Sequence, residues 1–179
     1  MKNFKFVVKN YYFLVSFILL LSFSRLIPHP PNFTPILAAA IFSGFCFRNF
    51  YLSTLIVILS IFLSDIILGF HNQTIFIYMA LMVSVLLGLS IKNFKFIQIL
   101  YTGLAASICF FIITNFGAWI FLDIYEKNLS GLINCYIMGI PFFKNTLSST
   151  IFYLLLIKVV FGFLANRKFK NNLNFFNIR

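Results

Sequence analysis

The sequence has 179 residues, 61% of them hydrophobic and 9% charged, with a mean hydropathy of +1.00. Water-soluble domains carry about 25% charged residues, so a soluble globular fold is excluded, and the length accommodates one bundle of about six spans at roughly 20 residues each. The net charge of +11 does not point to nucleic acid, because the basic residues flank apolar runs, which is the pattern of membrane topology.

Lys2, Lys5 and Lys9 precede an apolar run over residues 11–23. A basic stretch followed by an apolar stretch fits a secretory signal, and Ser22-Phe23-Ser24 is a weak small-x-small cleavage match. The reading adopted is an uncleaved first span over residues 11–27, with cleavage after Ser24 as the alternative. Arg25 is the one charge in that span. Next comes Arg25-Leu26-Ile27-Pro28-His29-Pro30-Pro31-Asn32-Phe33-Thr34-Pro35, which holds four of the five prolines. Proline fixes φ, removes a backbone donor and pushes the preceding residue toward extended geometry. No helix can run through this segment, so it is expected to be a rigid, polar, extended loop.

Residues 36–47 form a short apolar element, too short to cross a bilayer unaided. Within it Ala39 and Ser43, and Ala40 and Gly44, are small residues four apart. They make a flat stripe that another helix can approach closely. Internal packing and docking of a partner subunit are both open uses. Arg48 ends the element. A third span covers residues 51–70 with Asp65 inside it, and His71-Asn72-Gln73 make a tight connection. The fourth span, 74–91, is uncharged. Lys92 and Lys95 bracket the next turn. The fifth span, 96–122, carries Asn115 and Trp119 in its later part and is long enough to tilt or project beyond a bilayer. Residues 128–143 are broken by Gly131, Gly139 and Pro141, which predicts an interfacial or re-entrant segment. The sixth span covers 144–164 and leads to a basic tail. Cys46, Cys109 and Cys135 show no CxxC or metal-type spacing, and Cys46 and Cys109 read as small core residues.

Six crossings put both termini on one side. Lys2, Lys5, Lys9, Arg48, Lys92, Lys95, Arg167, Lys168, Lys170 and Arg179 then share that side, ten of the 14 basic residues. The positive-inside rule makes it the cytoplasmic side. The expected architecture is therefore an all-α membrane protein with both ends inside. Residues 1–179 form a single integral domain, and the proline-rich loop lies outside.

An ionised side chain at mid-bilayer costs at least ~2.5–3.5 kcal/mol, so intramembrane charges are functional candidates. Arg25 lies 14 positions past Tyr11, and Asp65 lies 14 past Tyr51. At 1.5 Å per residue both sit about 21 Å from the inner edge and can pair. Such a pair can serve a ligand, or it can only pin the first and third spans together. Other polar and aromatic residues fall at the same outer end: His29, Asn32, His71, Asn115, Trp119, Tyr136 and Asn145. Mixed polar groups converging with aromatics at one end of a bundle describe a cavity for a small, partly polar molecule. Arg25 would pair with a ligand anion or with Asp65. Asn115 and Asn145 would orient the ligand, and Trp119 and Tyr136 would stack on it.

The chain has no GxxxxGK[ST], no HExxH and no GxSxG, so no ATPase or hydrolase motif is present and no cofactor or resident metal is expected. His29, His71 and Asp65 could make a metal site only if the fold gathers them. A scaffold subunit, and less readily an intramembrane enzyme using those three residues, are the alternatives to a binding protein.

The pieces R-L-I-P-H-P-P-N-F-T-P-I with A-A-A, S-D-I-I-L-G-F-H, T-N-F-G-A-W and C-Y-I-M-G-I-P-F-F-K-N-T resemble an uncharacterised family of bacterial multi-pass transport proteins. Size, span count and outer site are also similar to the substrate-binding S components of energy-coupling-factor (ECF) vitamin transporters. The resemblance implies capture of a vitamin or other micronutrient at the outer face of the bacterial cytoplasmic membrane. It also implies a separate transmembrane coupling subunit with two ATPases. S components dock that subunit through an alanine-rich stripe on their first helix. Here the stripe, Ala39, Ala40, Ser43 and Gly44, is on the second element.

Overall fold

The apolar runs fold as helices wherever proline is absent or tolerated. The computed structural model describes residues 11–167. Among them are six helices and no strand: α1 (Tyr11–Ser24), α2 (Ile36–Phe47), α3 (Phe50–Leu68), α4 (Thr74–Ser90), α5 (Phe96–Phe121) and α6 (Leu129–Arg167). The predicted inner-side residues Lys2, Lys5, Lys9, Lys168, Lys170 and Arg179 lie outside the described residues. Arg48 closes α2 in the left-handed conformation, at φ 52°. Its guanidinium then binds the carbonyls of Leu89 and Ile91 at the end of α4. Asn49 caps α3 by accepting from the Leu52 amide at 3.0 Å.

Cross-contacts give the helix directions. Ser22 bonds the Ser60 carbonyl, and Arg25 reaches Ser64 and Asp65, so α1 and α3 run alongside each other in parallel. The end of α2 meets the end of α4 through Arg48. Asn115 on α5 packs on Gly139 of α6, and Gly103 packs on Leu154, so these two helices are antiparallel. One end of the bundle thus collects the ends of α1 and α3, the starts of α2 and α4, and the α5–α6 turn. The other end collects Arg48, Lys92 and Lys95, with Lys158 over the Phe96 ring at 5.9 Å.

Among the described residues three helices are long and apolar enough to cross a membrane: α3, α5, and α6 over Leu129–Val160. α2 and α4 are shorter apolar helices. The surface carries Leu55, Ile66, Ile67, Tyr101 and Phe152 in exposed positions, while Ser43, Ser53, Ser60, Ser84 and Ser107 are buried. Most of these serines bond back to a carbonyl of their own helix, as Ser60 does to Ile56 at 2.7 Å, so their burial leaves no donor unmet. Apolar residues outside and small polar residues inside fit a bundle whose surroundings are themselves apolar.

The predicted break over residues 128–143 is corrected. These residues begin a single 39-residue helix with Pro141 inside it. Proline here removes one backbone donor, the partner of the Ile137 carbonyl. Packing against α5 holds the rest. Gly139 lets the Asn115 side chain sit against the helix backbone, and Tyr136 donates to the Ile112 carbonyl at 2.8 Å. The start is fixed by Asn128, whose side chain accepts from the Gly131 amide at 2.8 Å, an N-cap arrangement.

The small-residue stripe is also settled. Ala39, Ala40 and Ser43 are 1% exposed or less. A Cβ on Gly44 would overlap the Val85 carbonyl oxygen, and one on Gly88 would overlap the Ile41 backbone. The helix that the stripe admits is α4 of the same chain, so it is not open to dock a partner subunit.

Candidate functional site

The end opposite Arg48 and Lys92 carries a partly open cavity of about 190 Å³. Its wall takes Arg25, His29, Asn32 and Thr34 from the segment after α1, and Ile36 and Leu37 from the start of α2. Ile61 and Leu68 come from α3, Ile77 from α4, Phe110 from α5, and Thr146 and Ser149 from α6.

Arg25 is the central charge. Its Nη1 forms an ion pair with Asp65 Oδ1 and donates to Ser64 Oγ at 2.7 Å and to the Ile61 carbonyl at 3.4 Å. The equal depths read from the sequence thus become a contact between Arg25, in the turn just past the end of α1 at Ser24, and Asp65 of α3. Asp65 is 3% exposed and stands behind Arg25, outside the cavity wall. Tyr78 of α4 brings its buried hydroxyl close to Asp65.

The proline-rich loop is folded over the cavity and tied to α6. Phe33 N donates to Pro30 O at 2.9 Å, which closes a turn, and Asn32 takes the left-handed conformation at φ 61°. Asn145 Nδ2 donates to the Pro31 carbonyl at 2.9 Å, and Ser149 Oγ donates to the Asn32 carbonyl at 3.4 Å. The Phe33 ring packs on Phe152 and Tyr153, at 6.3 and 6.0 Å between centroids. Asn145→Ala removes one such tie. The expected result is a loss of about 1 kcal/mol and faster amide exchange over residues 28–35. Unchanged exchange there would show that the loop is held without it.

Of the residues predicted for the site, Arg25, His29 and Asn32 line the cavity. Asp65 supports Arg25, and Asn145 positions the loop. His71 is exposed in the α3–α4 turn. Asn115, Trp119 and Tyr136 belong to the α5–α6 seam instead. Asn115 Nδ2 donates to the Phe111 carbonyl at 2.8 Å, Trp119 Nε1 to the Glu126 carbonyl at 2.9 Å, and Tyr136 to Ile112. Sequence reasoning missed Thr34, Thr146 and Ser149. The last two are three apart, so they share one helix face, and that spacing was the available signal. His29, His71 and Asp65 are not gathered, and no group of three His, Cys, Asp or Glu suited to a metal occurs among the described residues.

Among the described residues the fold is an all-helical bundle with three helices long and apolar enough to cross a membrane and a partly polar cavity at one end, features compatible with a small helical membrane protein. The chain belongs to the family of unknown function DUF6580, whose match covers residues 6–172. No curated protein and no solved structure matches it.

Proposed function

We propose that this chain is a multi-pass protein of the bacterial cytoplasmic membrane that binds a small micronutrient at its extracytoplasmic face, as the substrate-binding subunit of an S-component-like transport system. The observation that carries this reading is the cavity itself. A partly buried arginine, a histidine, an asparagine, two threonines and a serine converge there with aliphatic side chains. Six polar side chains converging with six apolar ones provide both the orienting groups and the apolar contact surface that a small-molecule site uses.

Orientation follows from charge. Arg48, Lys92, Lys95 and Lys158 sit at the end away from the cavity, which by the positive-inside rule faces the cytoplasm. The likeness to ECF S components rests on size, helix count and the outer position of the cavity. A coupling subunit with ATPases, if it docks, uses a face other than the buried Ala39–Gly44 stripe.

Mass spectrometry of small molecules retained by the purified protein is the direct test, joined to a thermal-shift screen of micronutrients. The expected result is one compound recovered in near-stoichiometric amount that also raises the melting temperature. Recovery of none, with no shift across the panel, would leave the cavity as a packing feature of a scaffold.

A further inference from the structure

Among the described residues the cavity wall contains one full positive charge and no carboxylate. Asp65 is directed at Arg25 from behind. Asp123 and Glu126 lie at the α5–α6 turn, away from the wall. Every side-chain bond that Arg25 makes among the described residues uses Nη1. Nη2 and Nε have no partner there, and the guanidinium carries five donors in a fixed plane. The arginine is thus anchored by one nitrogen and keeps donors in reserve. His29, Asn32 and Thr34 add donors around it, whereas the Thr146 hydroxyl donates to the Phe142 carbonyl.

From this juxtaposition we propose that the ligand is a small carboxylate, a single-ring or short-chain organic acid, held by the unused edge of the Arg25 guanidinium. The proposal rests on the reading of the cavity as a binding site. Its chemistry comes from charge and size. A cationic ligand would meet Arg25 with no acid on the wall to balance it. A neutral ligand would leave the spare guanidinium donors half-used. A carboxylate accepts two parallel N–H bonds from such a plane, stronger than neutral hydrogen bonds. Pairing with Asp65 does not cancel this, because Asp65 holds the arginine in place from the far side while the donors facing the cavity stay open. Size follows from volume. Drug-sized ligands occupy pockets of about 300–1,000 Å³, and this cavity measures about 190 Å³. The organic remainder would rest on Leu37, Ile61, Ile77 and Phe110.

The test uses the full chain in lipid nanodiscs. It is incubated with matched sets of a carboxylate, its carboxamide and its amine on the same scaffolds, for example benzoate, benzamide and benzylamine, together with short-chain equivalents. Retained compounds are quantified by mass spectrometry. Wild type is expected to enrich carboxylates at least tenfold over the matched amides and amines. Arg25→Lys keeps a cation for Asp65 but loses the planar edge, and it should lose that preference. Ile77→Trp, which fills the wall, should lose retention altogether while eluting as a folded species. Equal or better retention of amides or amines would overturn the carboxylate assignment and leave the binding-site reading standing. Carboxylate retention that survives both variants would place the acid elsewhere and overturn the proposal. No retention from any class would overturn the proposal and the binding-site reading together.

Discussion

Asp65→Ala is expected to lower stability by about 3–5 kcal/mol, the usual penalty for stripping one partner from a buried ion pair. The carboxylate is 3% exposed. Its removal leaves the Arg25 guanidinium with Ser64 Oγ and the Ile61 carbonyl as neutral acceptors. Thermal unfolding in detergent should show a fall of roughly 6–20 °C, since 1 kcal/mol corresponds to about 2–4 °C for a chain of this size. The double variant Arg25→Met with Asp65→Leu should recover most of that loss, because apolar residues of similar volume often replace a buried pair at no net cost. The same double variant should not recover carboxylate retention. Fold and binding are thereby tested separately: stability should return without the pair, and carboxylate retention should not. A single variant as stable as wild type would mean that the pair is not buried between α1 and α3 as described.

How much of this was legible beforehand follows from what each signal measures. Depth along a helix is a simple count, so the matching positions of Arg25 and Asp65 were readable and the two side chains do meet. The limits of α3, α4 and α5 were readable to within a residue or two because turn residues and lysines bracket them. Direction around the helix axis was not readable. These helices are apolar on every side, and a helix without a polar face gives no stripe to say which side turns inward. Asn115, Trp119 and Tyr136 have the right depth, but they point along the α5–α6 seam rather than into the cavity. Pro141 and its glycines misled for a different reason. They are local breakers, and the contacts that override them come from α5, about 20 or more residues away in sequence. The stripe of small residues told that a helix comes close without saying which one. The matching glycine, Gly88, was in the chain all along.

That pairing of Gly44 with Gly88 gives the second large effect. Gly88→Ala would place a methyl group 2.8 Å from the Ile41 carbonyl carbon and 3.0 Å from its Cα, with the carbonyl oxygen closer still. All three are backbone atoms, which cannot rotate aside as a side chain can, so α2 and α4 must move apart. Overpacking costs typically 1–3 kcal/mol, and about 3 kcal/mol is expected here because the obstruction is rigid. Gly103→Ala is the matched control. Its added carbon meets Leu154 Cδ1 at 3.3 Å, the end of a flexible side chain. The gain in helix propensity of up to about 1 kcal/mol should offset that contact, leaving a change within about 1 kcal/mol of wild type. The two substitutions are chemically identical, both lie in helix interiors, and they differ only in what the new atom touches. Ile36 and Leu37 at the start of α2 also face Ile77 of α4 across the cavity. Separation of these helices should therefore widen the site as well as destabilise the bundle, and Gly88→Ala should weaken carboxylate retention where Gly103→Ala does not. A Gly88→Ala protein melting at or above the temperature of Gly103→Ala would show that α2 and α4 do not cross at these glycines.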